Sequence, residues 1–122
     1  MFFLKNIGPN DFHIVLYLKK ILIGYVCLRK QKLYIKNKDE TKNYLHFDTC
    51  IVKKQFRGKN YTKLLMNFTN KVIENSKCIS ILYCEKNLVT FYKKYGWKIS
   101  NKKLNNFIQP TKNKITMQYN LK

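Results

Sequence analysis

The residues able to do chemistry gather in two stretches of the chain. The first is Val52-Lys-Lys-Gln-Phe-Arg57-Gly58-Lys59-Asn60-Tyr61-Thr62. It reads as the end of a buried strand, a basic turn and the start of a helix. A helix start presents unpaired N–H groups and the positive end of its dipole. Arg57 and Lys59 would add charge-assisted hydrogen bonds beside it, a combination suited to a phosphate chain. The second stretch offers proton acceptors. His46 and Asp48 are two apart on the preceding strand and so share a face. An imidazole titrates near neutral pH, and a cationic surround lowers its pKa and keeps it ready to accept a proton. A structural histidine hydrogen-bonded near a strand end fits the same residue. Glu85 is a further acceptor, acting through water. Cys50 and Cys84 could be read as acyl-carrying nucleophiles, but neither has a histidine partner in sequence, and small buried thiols are common.

Positioning these groups requires strands first and helices later. Met1 to Lys5 is a short apolar start, and Gly8-Pro9-Asn10-Asp11 a turn. Phe12 to Tyr17 and Ile21 to Leu28 read as strands joined at Leu18-Lys19-Lys20 in a hairpin. Lys32 to Lys36 reads as a shorter strand, Asn37 to Asn43 as a polar loop, and Tyr44 to Val52 as a central strand. From Asn60 the period changes: Tyr61, Leu64, Leu65, Phe68, Val72 and Ile73 recur at helical spacing, with Lys and Asn between them. Lys77 to Cys84 returns to strand, with Ile79, Ile81 and Tyr83 on one face and Ser80, Leu82 and Cys84 on the other. A second helix has Asn87 as N-cap, a stripe of Leu88, Phe91, Tyr92 and Tyr95, and Gly96 as its left-handed end. Trp97 to Ser100 and Lys114 to Leu121 are closing strands around a polar loop with Pro110.

With these elements placed, the chain resembles the GCN5-related N-acetyltransferase (GNAT) superfamily. Val52 and Arg57 keep the spacing of that family's acetyl-CoA pyrophosphate loop, Phe56 matches its aromatic, and Gly58-Lys59 are typical. Asn60 and Thr62 stand at two usually small positions. Asn is the non-glycine residue that best tolerates positive φ, whereas Thr62 narrows the space for the pyrophosphate. A register using Gln55, Gly58 and Asn60 fits the leucine spacing of the helix less well. The second match is Tyr83-Cys84-Glu85-Lys86-Asn87-Leu88-Val89-Thr90-Phe91-Tyr92-Lys93-Lys94-Tyr95-Gly96-Trp97, similar to the family's strand and Phe-Tyr-x-x-x-Gly-Phe helix. Its Cys-Glu-x-x-Leu-Val-x-Phe-Tyr run is nearest to the arylalkylamine N-acetyltransferase branch.

The resemblance implies an α/β fold of α+β type: a mixed, mainly antiparallel GNAT-like sheet with two helices, after strands 4 and 5. It implies acetyl-CoA as co-substrate and direct transfer of acetyl to a primary amine in a ternary complex. Tyr92 becomes the general acid beside the CoA sulfur, although its place in the helix's apolar stripe also explains it. His46, Asp48 and Glu85 remain alternatives for the base. Cys50, Ile51 and Val52 become backbone contacts for the pantetheine arm. Arg57, Gly58, Lys59, Asn60, Tyr61 and Thr62 become the pyrophosphate loop, and Asn87 either reaches the cofactor or caps its helix. One departure stands out: relatives carry two helices between the first two strands, and residues 6 to 12 are too few for even one. The N-terminal helical region is therefore shortened.

Composition bounds the rest. The 122 residues suit a single GNAT-like domain spanning 1–122. With 45% hydrophobic residues, the chain can bury a core. Its apolar runs are too short to span a bilayer, the four cysteines lack metal-ligand spacing, and reduced thiols suggest a cytoplasmic setting without metal. The net charge of +19 comes from lysines scattered through every segment, which favours a solvated surface over a dedicated tail. It suits a polyanionic cofactor and repels polycationic acceptors, so the expected partner is a small-molecule amine or a neutral or acidic protein amine. The chain would act as a monomer or homodimer. An alternative is a catalytically weak or inactive module that binds CoA, or nucleic acid non-specifically through its basic surface.

Overall fold

The computed structural model describes residues 2–7, 11–35, 40–100 and 113–120. Within them, β1 (Phe2–Ile7), β2 (Phe12–Leu18), β3 (Ile21–Ile35) and β4 (Glu40–Val52) come first. Helix α1 (Tyr61–Ser76), β5 (Ile79–Cys84), helix α2 (Val89–Lys94), β6 (Lys98–Ile99) and β7 (Ile115–Tyr119) follow. The strands form one sheet in the order β1-β2-β3-β4-β5-β7-β6. Every pairing is antiparallel except β4 with β5. This is the mixed, mainly antiparallel sheet with two helices expected from the sequence. The parallel pair requires a crossover, and α1 supplies it.

Several boundaries differ from the sequence reading. Arg29, Lys30 and Gln31 continue β3, because they pair with His46, Leu45 and Tyr44 of β4. The polar residues Thr41, Lys42 and Asn43 belong to β4, held by Tyr34, Leu33 and Lys32. A backbone ladder needs no apolar side chains on a solvated surface, so polarity concealed both extensions. Four residues separate β1 from β2, leaving no length for the family's N-terminal helices. Most of the Gly8–Asp11 turn and the loop containing Pro110 lie outside the described residues.

Both helices pack on the same face of the sheet. Leu65, Met66 and Ile73 of α1 and Tyr92 of α2 join Ile14, Leu16, Val26, Leu28, Leu45, Phe47, Leu82 and Met117 in one buried cluster. Burial of such side chains is worth roughly 1.5–3 kcal/mol each. The other face holds a smaller cluster, Ile79 and Ile81 with Tyr44 and Tyr83. Among the described residues no helix covers it. Asn70 sits at the stripe position between Met66 and Ile73 and is buried, not solvated. Its Nδ2 donates to the Tyr95 carbonyl at 2.9 Å, and its Oδ1 accepts from Trp97 Nε1 at 3.2 Å. One amide thus ties α1 to the end of α2 and to Trp97, the residue before β6. No helix among the described residues is long and apolar enough to cross a membrane.

Candidate active site

The central feature is a split in the sheet. Strands β4 and β5 pair only at Tyr44–Ile79, Leu45–Ser80 and His46–Ile81. Beyond that row β4 runs on to Val52 and β5 to Cys84 without pairing to each other. The backbone groups of Cys50, Ile51 and Val52 that face β5 therefore lack a strand partner there, while the opposite edge of β4 remains paired to β3. Unpaired edge groups are a template for an extended, amide-bearing ligand.

A β-bulge sits at the mouth of this split. Cys27 faces Thr49 and Leu28 faces Phe47, so Asp48 is an extra residue on β4. It shifts the alternation of the strand. Before the bulge, Leu45 and Phe47 enter the helix-side core; after it, Cys50 and Val52 do. Parity counting from His46 to Val52 therefore fails across Asp48. His46 and Asp48 still interact, since the carboxylate acts on the imidazole.

A cleft of about 330 Å³ follows the split, lined by Cys50, Ile51, Val52, Arg57, Thr62, Leu88, Phe91 and Tyr92. The sequence expected Leu88 in the buried stripe of α2, but it is 42% exposed and forms part of the cleft wall. Tyr92 is 9% exposed, with its ring edge-on to Phe47 at 5.9 Å and 6.3 Å from Trp97. Burial, with smaller contributions from the Cys50 and Cys84 thiols, holds its phenol well above the ordinary range. Tyr92 thus stays protonated through neutral pH. Burial likewise pushes the Cys50 thiol up to about 11 and raises that of Cys84, so neither is a ready thiolate nucleophile.

At one end of the cleft lies the basic turn. Lys54–Phe56 form a 3₁₀ turn. Gly58 has φ 77°, and a Cβ added there would meet no atom within 4 Å, so backbone conformation alone selects glycine. Asn60 is the residue before α1 and has φ 24°, the positive value expected of it. Its carbonyl accepts from Leu64 N at 3.0 Å, and Tyr61 N donates to the Lys59 carbonyl. The Phe56 ring packs edge-on to Tyr61 at 5.8 Å. Arg57 does something the sequence did not foretell: its Nε donates to the Val52 carbonyl at 2.9 Å. Lys59 and Gly58 are exposed, and Thr62 is half-buried at the cleft.

The proton acceptors occupy the helix-free side and its rim. His46 is half-buried and its ring lies edge-on to Tyr83 at 5.4 Å. Its pKa is lowered from 6.5, chiefly by burial; Asp48 opposes and Arg29 adds to that shift. The sequence reading had the direction but credited surrounding cations, whereas desolvation dominates. Asp48 lies 3.8 Å from Arg29 Nη1. Glu85 is exposed, and its Oε1 accepts from Lys114 Nζ at 3.4 Å. Asn87 does not cap α2. It lies inside the 3₁₀ turn Lys86–Leu88, whose helical backbone denies it the extended cap geometry, and α2 begins at Val89 without a side-chain cap. Gly96 has φ 89° at the end of α2, as expected. Among the described residues no cluster of His, Cys, Asp and Glu could hold a metal ion.

Comparison with known proteins follows the same lines. A family model described as acetyltransferase (GNAT) domain matches residues 4–116. No curated protein matches. Among solved structures, the PaiA N-acetyltransferase from Thermoplasma acidophilum in complex with coenzyme A superposes with a TM-score of 0.63 at 17% identity, covering 89% of this chain and 60% of that one. The chain thus spans less than two thirds of that protein. Escherichia coli ElaA gives 0.67 at 18% identity, with 91% and 69% covered. Glucosamine-6-phosphate N-acetyltransferase from Arabidopsis thaliana gives 0.63 at 24%, with 86% and 67% covered. At these identities the likeness is one of fold.

Proposed function

Because the chain belongs to the GNAT acetyltransferase domain family, we propose that it is an acetyl-CoA-dependent N-acetyltransferase that moves acetyl directly to a primary amine. The single observation that carries this reading is the split between β4 and β5, with the Arg57–Asn60 turn at one end and Tyr92 on its wall. The pantetheine arm would pair with the edge of β4 at Cys50, Ile51 and Val52, where the Val52 carbonyl already accepts from Arg57. The pyrophosphate would meet the N–H groups at the start of α1, with Arg57, Gly58, Lys59, Asn60, Tyr61 and Thr62 around it. The coenzyme A complex of the Thermoplasma protein supports the choice of donor.

The chemistry divides between the two faces of the sheet. His46, on the helix-free side and neutral at pH 7 through burial, takes the proton of the acceptor ammonium. The amine lone pair then forms the N–C bond to the acetyl carbonyl, giving a tetrahedral oxyanion. Its collapse breaks the C–S bond. Tyr92, on the helix side, meets the departing sulfur. A phenol held this high is a weak ground-state acid, so its contribution is a hydrogen bond that strengthens as charge gathers on sulfur; its proton then passes to sulfur and is replaced by the second proton that the new amide nitrogen sheds. Asp48 tunes His46, and Glu85 serves through water at the rim. Likeness to the arylalkylamine branch rests on the Cys84–Tyr92 run, and the four cysteines, free thiols here, suit a reducing, cytoplasmic setting.

Thermal unfolding with and without acetyl-CoA tests the donor. A site filled at 100 times its dissociation constant adds roughly 2.7 kcal/mol, and no shift at millimolar acetyl-CoA would remove the reading. A free-thiol assay over candidate amines then identifies the acceptor class.

A further inference from the structure

Two walls of the cleft belong to different helices. Helix α1 begins at the basic turn and contributes Thr62, whereas α2 contributes Phe91 and Tyr92. The fold holds the two helices unequally. Sixteen residues long, α1 is seated on the sheet through Leu65, Met66 and Ile73, all fully buried. Helix α2 has six residues and no side-chain cap at its start, and Tyr92 is its one buried residue. A helix of that length cannot hold itself in water, so its placement comes from tertiary contacts. Asn70, 6% exposed on α1, supplies one at the far end of α2. Its Nδ2 donates to the Tyr95 carbonyl, and its Oδ1 accepts from Trp97 Nε1. The backbone N–H groups of Tyr95 and Trp97 both donate in turn to the Tyr92 carbonyl, at 3.0 and 3.2 Å. One buried amide on α1 therefore grips the two residues that are bonded to the backbone of Tyr92.

We propose that Asn70 is a positioning residue for the transfer: it carries the position of α1 across to α2 and so fixes the Tyr92 hydroxyl against the cofactor sulfur. The inference rests on the N-acetyltransferase reading, in which that hydroxyl meets the departing thiolate. Position matters there because a hydrogen bond weakens steeply as its angle closes, and a displacement of about 1 Å can cost roughly a hundredfold in rate. Binding of the rest of the cofactor does not depend on it. The edge of β4 is held by β3, and the turn before α1 by the bond from Arg57 to Val52.

The test compares CoA with desulfo-CoA, which lacks the sulfur, by calorimetry on the full chain at pH 9. A thiol of ordinary pKa, about 8.5, is then mostly thiolate, whereas the Tyr92 phenol, raised by burial, is still protonated. Tyr92→Phe gives the ratio of the two affinities without the hydroxyl. We expect the wild-type preference for CoA to exceed that of Tyr92→Phe about tenfold, the effect of a hydrogen bond to a charged group. Asn70→Ala should fall to the Tyr92→Phe ratio while binding desulfo-CoA as tightly as the wild type, and the double variant should fall no further. A groove of about 780 Å³ borders Asn70 and admits water to the freed Tyr95 carbonyl and Trp97 N–H, so this variant loses the tie without stranding its partners. Should circular dichroism show Asn70→Ala unfolded, Asn70→Leu, which fills the space, is held to the same outcomes. The proposal is overturned if the variant keeps the wild-type ratio, or if it weakens CoA and desulfo-CoA in equal proportion, as a purely structural residue would. A wild type that binds neither ligand, or that shows only the Tyr92→Phe ratio, would instead strike the acetyltransferase reading, and the proposal with it.

Discussion

Arg57 Nε donates to the carbonyl of Val52 at 2.9 Å, so the residue expected to hold a phosphate also ties its own turn to the end of β4. The remaining guanidinium nitrogens keep their donors, and the tether orients them. Arg57→Ala therefore removes a tether worth about 0.5–1.5 kcal/mol and a charged phosphate contact worth about 1.5–3. We expect acetyl-CoA affinity to fall roughly 10–100-fold while folding stability drops by only about 1 kcal/mol. Titration calorimetry beside denaturant unfolding checks this; equal affinity in variant and wild type would refute the loop assignment.

Tyr92→Phe preserves the ring that packs against Phe47 and Trp97 and deletes only the hydroxyl. The expected result is a fall in kcat of roughly 10²–10⁴-fold, with acetyl-CoA affinity and melting temperature nearly unchanged. A variant with wild-type kcat would show that Tyr92 serves the core alone.

With His46 as the proposed base, its titration should set the acid limb of activity. Its folded pKa is lowered from 6.5 by burial, so the acid limb of kcat/KM should have its midpoint below pH 6.5. The same shift gives the sign for stability. The unfolded chain takes up this proton first, so folding loses stability as pH falls from about 6.5 through the folded value and gains nothing from this group above it. His46→Gln should abolish the activity limb and flatten that part of the stability curve. An unchanged limb would move the base role to Asp48 or Glu85.

Cys50 lines the cleft with its thiol pushed up to about 11 by burial, so direct transfer predicts that it carries no acyl group. Cys50→Ala should retain kcat within a few-fold. Intact mass measurement after incubation with acetyl-CoA alone should show no covalent adduct, and one on Cys50 or Cys84 would establish a double-displacement route instead.

Exchanging Asn60 for Gly should leave stability equal or slightly higher, since glycine carries no Cβ penalty at φ 24°. Asn60→Val should cost about 1–2 kcal/mol and weaken acetyl-CoA binding. Chemical denaturation of the two variants decides it, and a stable valine variant would mean that the turn does not need this conformation.

The order of strands and helices, the Arg57–Asn60 turn and the place of Tyr92 in α2 were legible in the sequence because each rests on local chemistry: period, turn residues and spacing; Leu88 was not, since it lines the cleft instead of the core. Asn60 at positive φ and Gly96 ending α2 follow from the same local rules. What depended on distant partners was not legible. The extra residue at Asp48 exists only relative to β3, and it decides which side chains of β4 face the helices. Nothing local marks Asn70 as a core residue; Tyr95 and Trp97 satisfy its amide only in the assembled fold. Arg57 bonding back to Val52 likewise belongs to the assembled sheet. The sequence by itself determined the elements and the basic turn before α1, since backbone preference and side-chain periodicity act over a few residues. Only the tertiary structure decided where β4 and β5 part, because that depends on the end of a ladder between strands some 35 residues apart, and from that parting come the cleft and its walls.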